Sequence, residues 1–234
     1  MEARVRRAAA SLVVAYSVGI GCRPVQLPAP DLDPGATFAA HQVHNGFVID
    51  RVPGGGTGVI DPAGWLSWGS PRFRVRVEGV TLGDLSLIAP ARVDIRESAG
   101  AGRVEPAWDD GAVRLTLAST TGALLRFGVF QRIGGGGGYS ALSRNAQTLL
   151  DVQGTYRSTV VDGDEHPVGW WQVRIAEPFQ PRVFEGAIPG LSPAFAAALT
   201  LALNSEIDWI ENHTLDVFRG SSSGRFDGHT RGGR

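Results

Sequence analysis

Five carboxylates, Glu78, Asp94, Glu105, Asp109 and Asp110, fall on or beside segments that alternate like β-strands. Two such groups facing each other across a groove, about 5 to 9.5 Å apart, can hydrolyse a glycosidic bond. One, with a raised pKa, protonates the leaving oxygen; the other attacks or activates water. Spacing along the chain does not fix that distance, so the five are candidates for a glycan hydrolase. Aromatic rings that could hold a sugar are present as Trp65, Trp68, Trp108, Trp170, Trp171 and Trp209. Trp170 and Trp171 are adjacent, so a strand would send them to opposite faces. One then belongs to a core and the other can stack on a ligand or anchor a partner, which makes the pair a candidate binding surface.

Other motifs have plainer readings. GSSSG (220–224) has the letters of a nucleophile elbow, followed by Asp227 and His229, but no strand–turn–helix context surrounds it. IGGGGGYS (133–140) places successive backbone amides before a short apolar stretch, yet Tyr139 breaks the G-x-G-x-x-G spacing; a flexible loop is the simpler reading. His41 and His44 could share a metal on a helix, but they precede a strand-like segment that would separate the rings. DGDEH (162–166) lacks the third acidic position and closing Glu of an EF-hand and reads as turn chemistry. NHT at Asn212 fits a glycosylation sequon and discriminates nothing here.

Composition excludes more than it proposes. All 22 basic residues are arginine, which rules out Schiff-base, P-loop and pyridoxal phosphate chemistry that needs a lysine. A single cysteine rules out an internal disulfide and any multi-cysteine metal site. No cofactor and no metal is expected. The 23 carboxylates outnumber the arginines, so no overall positive charge favours nucleic acid.

The cysteine has a particular setting. Arg4, Arg6 and Arg7 form a basic start, Ala8 to Ile20 is uncharged and apolar, and VGIGC ends at Cys22. That apolar run suits a signal peptide and falls short of a membrane span. VGIGC resembles the lipobox of bacterial lipoproteins, in which a small residue precedes a cysteine that is acylated and becomes the new N-terminus. The resemblance implies lipidation at Cys22, a membrane partner through the lipid anchor, and a cell-envelope location, periplasmic or surface. Plain signal cleavage, giving a secreted protein, is the alternative. Pro24, Pro28, Pro30 and Pro34 follow, as in a semi-rigid spacer.

The body reads as strands. Residues 72–78, 91–97 and 112–118 alternate apolar and polar, and 123–131 is a more apolar strand. Residues 155–175 read as a hairpin with its tip at 162–167; 181–188 adds a strand, and 47–52 and 214–218 are weaker candidates. Ser192 is a good N-cap and Pro193 suits a first helical position, so a helix is predicted from there to about Asn212, apolar on nearly every side at first. A shorter helix is predicted over 141–150. The expected organisation is a signal peptide (1–21), a proline-rich tether (22–40), a mainly-β domain (41–219) and a disordered tail (220–234). The expected fold is mainly β, an antiparallel sandwich or barrel-like curved sheet with one packed C-terminal α-helix. The expected function is an envelope lipoprotein acting as a non-catalytic binding or structural module toward an envelope ligand or protein. A carrier of lipophilic ligand is one form of this, since a curved sheet closed by an apolar helix resembles envelope lipoprotein carriers. The alternative is the glycan or peptidoglycan hydrolase with paired carboxylates.

Overall fold

The structure, a computed structural model, describes residues 31–63, 70–88, 92–109, 112–134, 141–143, 153–176 and 181–221, with backbone only for 108, 109 and 213–221. Thirteen strands run in order: β1 (Phe38–Val43), β2 (Gly46–Arg51), β3 (Gly58–Pro62), β4 (Arg72–Val77), β5 (Val80–Ile88), β6 (Arg92–Glu97), β7 (Gly100–Asp109), β8 (Ala112–Ser119), β9 (Leu124–Phe127), β10 (Gln131–Ile133), β11 (Gly154–Val161), β12 (Pro167–Ile175) and β13 (Val183–Ala187); one helix, α1 (Pro193–Ser221), follows. Each strand pairs antiparallel with the next except β9, which skips β10 and pairs with β11, and β13 returns to β1. The result is a closed, twelve-stranded, up-and-down barrel with β10 as a side pairing on β11. Closure leaves no free edge around the ring.

The expected mainly-β fold with one packed helix is what the chain adopts, in its barrel form. The alternation of β4, β6 and β8 does what period two requires. Val75, Val93, Ile95, Val113, Leu115 and Leu117 are buried inside, while Arg74, Arg76 and Arg96 stand on the outer wall. Arginine outside and valine inside is the reverse of the apolar-out pattern of a membrane-spanning barrel. Among the described residues no helix is long and apolar enough to cross a membrane.

The helix fills the lumen. Every residue from Ala194 to Asn204 is buried, which a helix achieves only when surrounded. It lies against β5, β6 and β7. A Cβ on Gly102 would come within 2.5 Å of the Phe195 ring and 2.8 Å of the Ala118 carbonyl. Glycine there lets the helix approach the wall. On the opposite side of the lumen, Phe38, Tyr156, Trp171 and Phe184 supply the bulk. Phe38 and Trp171 stack with centroids 5.5 Å apart, across strand β13. Gly186 lies between their positions, and a Cβ there would collide with the Trp171 ring.

Several boundaries differ from the sequence reading. The strand expected over 123–131 is broken: Phe127 faces Val160 and Gln131 faces Arg157, so three residues oppose two and the path bulges at Gly128–Phe130. Residues 214–218 continue α1 instead of forming a strand. Extending a helix already formed adds a bond per residue, whereas an isolated five-residue strand would have no partner. The fold also begins before residue 41, since β1 starts at Phe38, and α1 runs past Gly220 to Ser221. Of the helix predicted over 141–150, Ala141 and Ser143 form isolated β-bridges and the rest lies outside the described residues.

Gly102→Val is expected to destabilise the fold by about 1–3 kcal/mol through overpacking against Phe195. Val80→Ser, at a side chain 61 % exposed, should change stability by less than about 0.5 kcal/mol. Urea unfolding midpoints compare the two; equal midpoints would mean that the helix does not press on that wall.

Candidate functional site

The predicted residues scatter. Cys22, Trp65, Trp68, Asp110 and the glycines at 135–138 lie outside the described residues. Trp171 is buried in the lumen, so of the proposed binding pair only Trp170 faces outward. The opposite-face expectation holds: on β12, Trp171, Val173 and Ile175 point in, and Trp170, Gln172 and Arg174 point out.

Trp170 belongs to an outer-wall network. The Arg157 guanidinium sits over its ring, 4.2 Å from the centroid. Arg157 also donates to Gln172 Oε1 at 2.8 Å and to Asp33 Oδ2 at 2.8 Å. Glu185 on β13 is fully buried although it points outward. It accepts from the Asp33 backbone N–H at 2.6 Å, from Gln172 Nε2 at 2.7 Å and from Arg174 at 3.2 Å. Arg51 donates to the carbonyls of Asp33 and Ala36. These bonds fasten the segment ahead of β1 across the outside of the barrel, and they engage one half-buried face of Trp170.

Among the described residues, the candidate carboxylates Glu78, Asp94 and Glu105 are each engaged and none is set up as a general acid; the side chains of Asp109 and Asp110 lie outside what is described. Asp94 and Glu105 face outward on β6 and β7 and are laced to arginines: Asp94 accepts from Arg92 at 3.1 Å and Arg103 at 2.9 Å, and Glu105 from Arg103 at 3.2 Å. Partial burial acts to raise the Asp94 pKa, but the hydrogen bonds and charges of Arg92 and Arg103 outweigh it and hold the carboxyl below its ordinary range. A general acid needs the opposite shift. Glu78 lies at the β4–β5 turn with φ 48°, where it accepts from the Thr57 N–H at 2.7 Å.

His41 and His44 do not come together on a metal. His41 Nδ1 shares a 2.7 Å hydrogen bond with Asp50 Oδ2, and His44 sits in the β1–β2 turn. Asp162, Asp164 and His166 do approach one another at the β11–β12 tip. Asp162 Oδ1 accepts the backbone N–H groups of Asp164 and His166, which explains the cluster as a turn.

Among the described residues, each mouth of the barrel holds a cavity. At the mouth where α1 enters, a cavity of about 340 Å³ has Leu125, Leu191 and Phe195 in its wall. Its polar groups are already engaged: Ser192 donates to Glu97 at 2.9 Å, and Ser119 bonds Thr121 at 2.6 Å. At the other mouth a cavity of about 320 Å³ lies between α1 and the β1–β2 hairpin. Behind it, buried Arg182 grips the helix. It donates to Asn204 Oδ1 at 2.7 Å, Asp208 Oδ1 at 2.6 Å and Glu211 Oε2 at 2.6 Å. Those three acceptors recur at helical spacing along one side of α1. Arg182, Asn204 and Asp208 were not singled out from sequence; the i, i+4, i+7 spacing of Asn204, Asp208 and Glu211 after an apolar first half of the helix is the signal that could have found the acceptors.

No protein-family model matches this chain, and no curated protein or solved structure is similar to it.

Because the folded pKa of Asp94 is depressed, its stabilising contribution is present above the unfolded carboxylate value of about 3.9 and disappears as pH falls through the folded value. Asp94→Asn should therefore lower the melting temperature near pH 7 and lower it less near pH 2. A partly exposed network of this kind contributes no more than about 1 kcal/mol. A constant difference at both pH values would show that packing, not charge, is what the substitution disturbs.

Proposed function

We propose that the chain is a cell-envelope lipoprotein, acylated at Cys22, whose helix-filled barrel is a non-catalytic binding or structural module. The observation that carries the module reading is the occupied lumen. Ala194 to Asn204 take up the space in which a barrel of this size would hold a ligand, so recognition falls to the mouths and the outer wall. This favours a surface binder over an interior carrier of lipid. The hydrolase alternative has less support, since the carboxylates described on β6 and β7 are neutralised by arginine and Asp94 is shifted the wrong way for an acid.

The location rests on the order of segments: three arginines, an uncharged run to Ile20, VGIGC and a proline-rich stretch. The bonds of Asp33 and Arg51 support a tether that is seized by the barrel wall as soon as it arrives. Partners would then be the bilayer, through the acyl chains, and an envelope ligand or protein; nucleic acid is not among them.

Intact mass of the native protein from membrane fractions tests the anchor. The expected mass is that of a chain starting at Cys22 with acyl groups added, and Cys22→Ala should abolish the acylation and release the protein from the membrane. A native chain retaining Met1, with no acyl mass and found in the soluble fraction, would overturn the reading.

A further inference from the structure

The mouth where α1 leaves the barrel differs from the entry mouth in one respect: four of its polar side chains are uncommitted. Gln42, His44 and Asn45 on the β1–β2 hairpin and Ser205 on α1 line the cavity, and their side chains have no hydrogen-bond or ionic partner among the described residues. The rest of the lining is the engaged pair Asn204 and Asp208 and an apolar set, in which Phe47 and Leu201 are buried and Phe73 and Leu87 pack against the core. The cavity of about 320 Å³ thus combines an apolar floor with a ring of groups that both donate and accept.

We propose that this mouth binds an uncharged, hydroxyl-rich ligand with one apolar face, which is the chemistry of a glycan residue. Charge selects the class. No arginine lines the cavity, so nothing there would hold a phosphate or carboxylate. The one carboxylate that does, Asp208, is already paired with Arg182 at 2.6 Å and accepts from Asn204 at 2.9 Å. A bare acyl chain would bury the four polar groups without partners, a loss that no apolar contact with them would return. Sugar hydroxyls satisfy amide, imidazole and hydroxyl groups together, while the C–H face of the ring rests on Phe and Leu. With a single carboxylate, and that one tied to arginine, the site binds and does not hydrolyse.

The proposal deepens the binding-module reading and is independent of the anchor, because its test does not depend on acylation. The full chain, solubilised in a polyoxyethylene detergent that carries no sugar, is titrated by calorimetry with the β-1,4-linked disaccharide of N-acetylglucosamine, and in parallel with inorganic phosphate and with decanoate. Saturable binding of the disaccharide alone is expected, weakened about 2- to 10-fold by each of His44→Ala and Ser205→Ala. Thermal melting confirms that the variants fold; should Ser205→Ala fail, Gln42→Ala on the exposed hairpin replaces it. No binding of the disaccharide overturns the proposal, as does disaccharide binding indifferent to the variants, or phosphate or decanoate binding that the variants abolish. Acylation at Cys22 with no sugar binding would leave the anchor standing and remove this site.

Discussion

A closed ring of twelve antiparallel strands cannot fill its own interior. Eight strands leave room that inward side chains can occupy; more strands open a lumen. Every other feature of this fold follows from how that space is filled. The chain inserts its last element, and the insertion dictates composition on both partners. The helix must be apolar all round for three turns, so it is built from alanine, leucine and Phe195 with one threonine, Thr200, whose hydroxyl donates to the Ala196 carbonyl. The wall must be thin on one side, which glycine provides at Gly102, and thick on the other, which Phe38, Trp171 and Phe184 provide. An off-centre helix thus sits in a round barrel with close packing on both sides.

That solution has an end. At about 1.5 Å per residue α1 is about 43 Å long, and its polar stripe of Asn204, Asp208 and Glu211 begins where burial on every side gives way to burial on one side. Arg182 supplies the counterpart. It contributes charge to a place where two carboxylates and an amide would otherwise crowd together half-shielded from water. The helix is therefore located twice over, axially by this arginine and radially by packing.

Much of the wall was legible from sequence because a half-buried strand writes its two faces into alternate residues. RFRVRV and RVDIRE show this plainly. β5 and β7 were missed for the reason that makes the fold work: glycine at 83 and 102 stands at inward positions where an apolar residue would complete the pattern. Pro106 inside β7 obscured it further. The helix was legible from its N-cap and its apolar run, but its length was not, since Thr214–Phe218 alternates like a strand when read alone. The candidate site was largely hidden. Gln42 and His44 are far in sequence from Ser205, and only pairing of β1 with β13 and threading of α1 bring the hairpin and the helix to one mouth.

Strand β13 ties these parts together. Its outward Glu185 holds Asp33, the start of the described fold, while the inward residue just before it, Arg182, holds the far half of α1. Between them, Phe184 faces the lumen and packs edge-on against Phe47, with centroids 5.7 Å apart. One short strand thus carries the attachment of the N-terminal segment on one face and the retention of the plug on the other. It also closes the ring by pairing with β1. If the chain is tethered through its N-terminus, load on the tether passes first to Glu185 and its three donors, and through the backbone of β13 to the clamp on the helix. The hairpin that walls the open mouth is an extension of β1, the other strand of that closure. The mouth therefore keeps its shape only while the β1–β13 seam is shut, which couples the integrity of the barrel's closure to the cavity where Gln42, His44, Asn45 and Ser205 have no partner among the described residues.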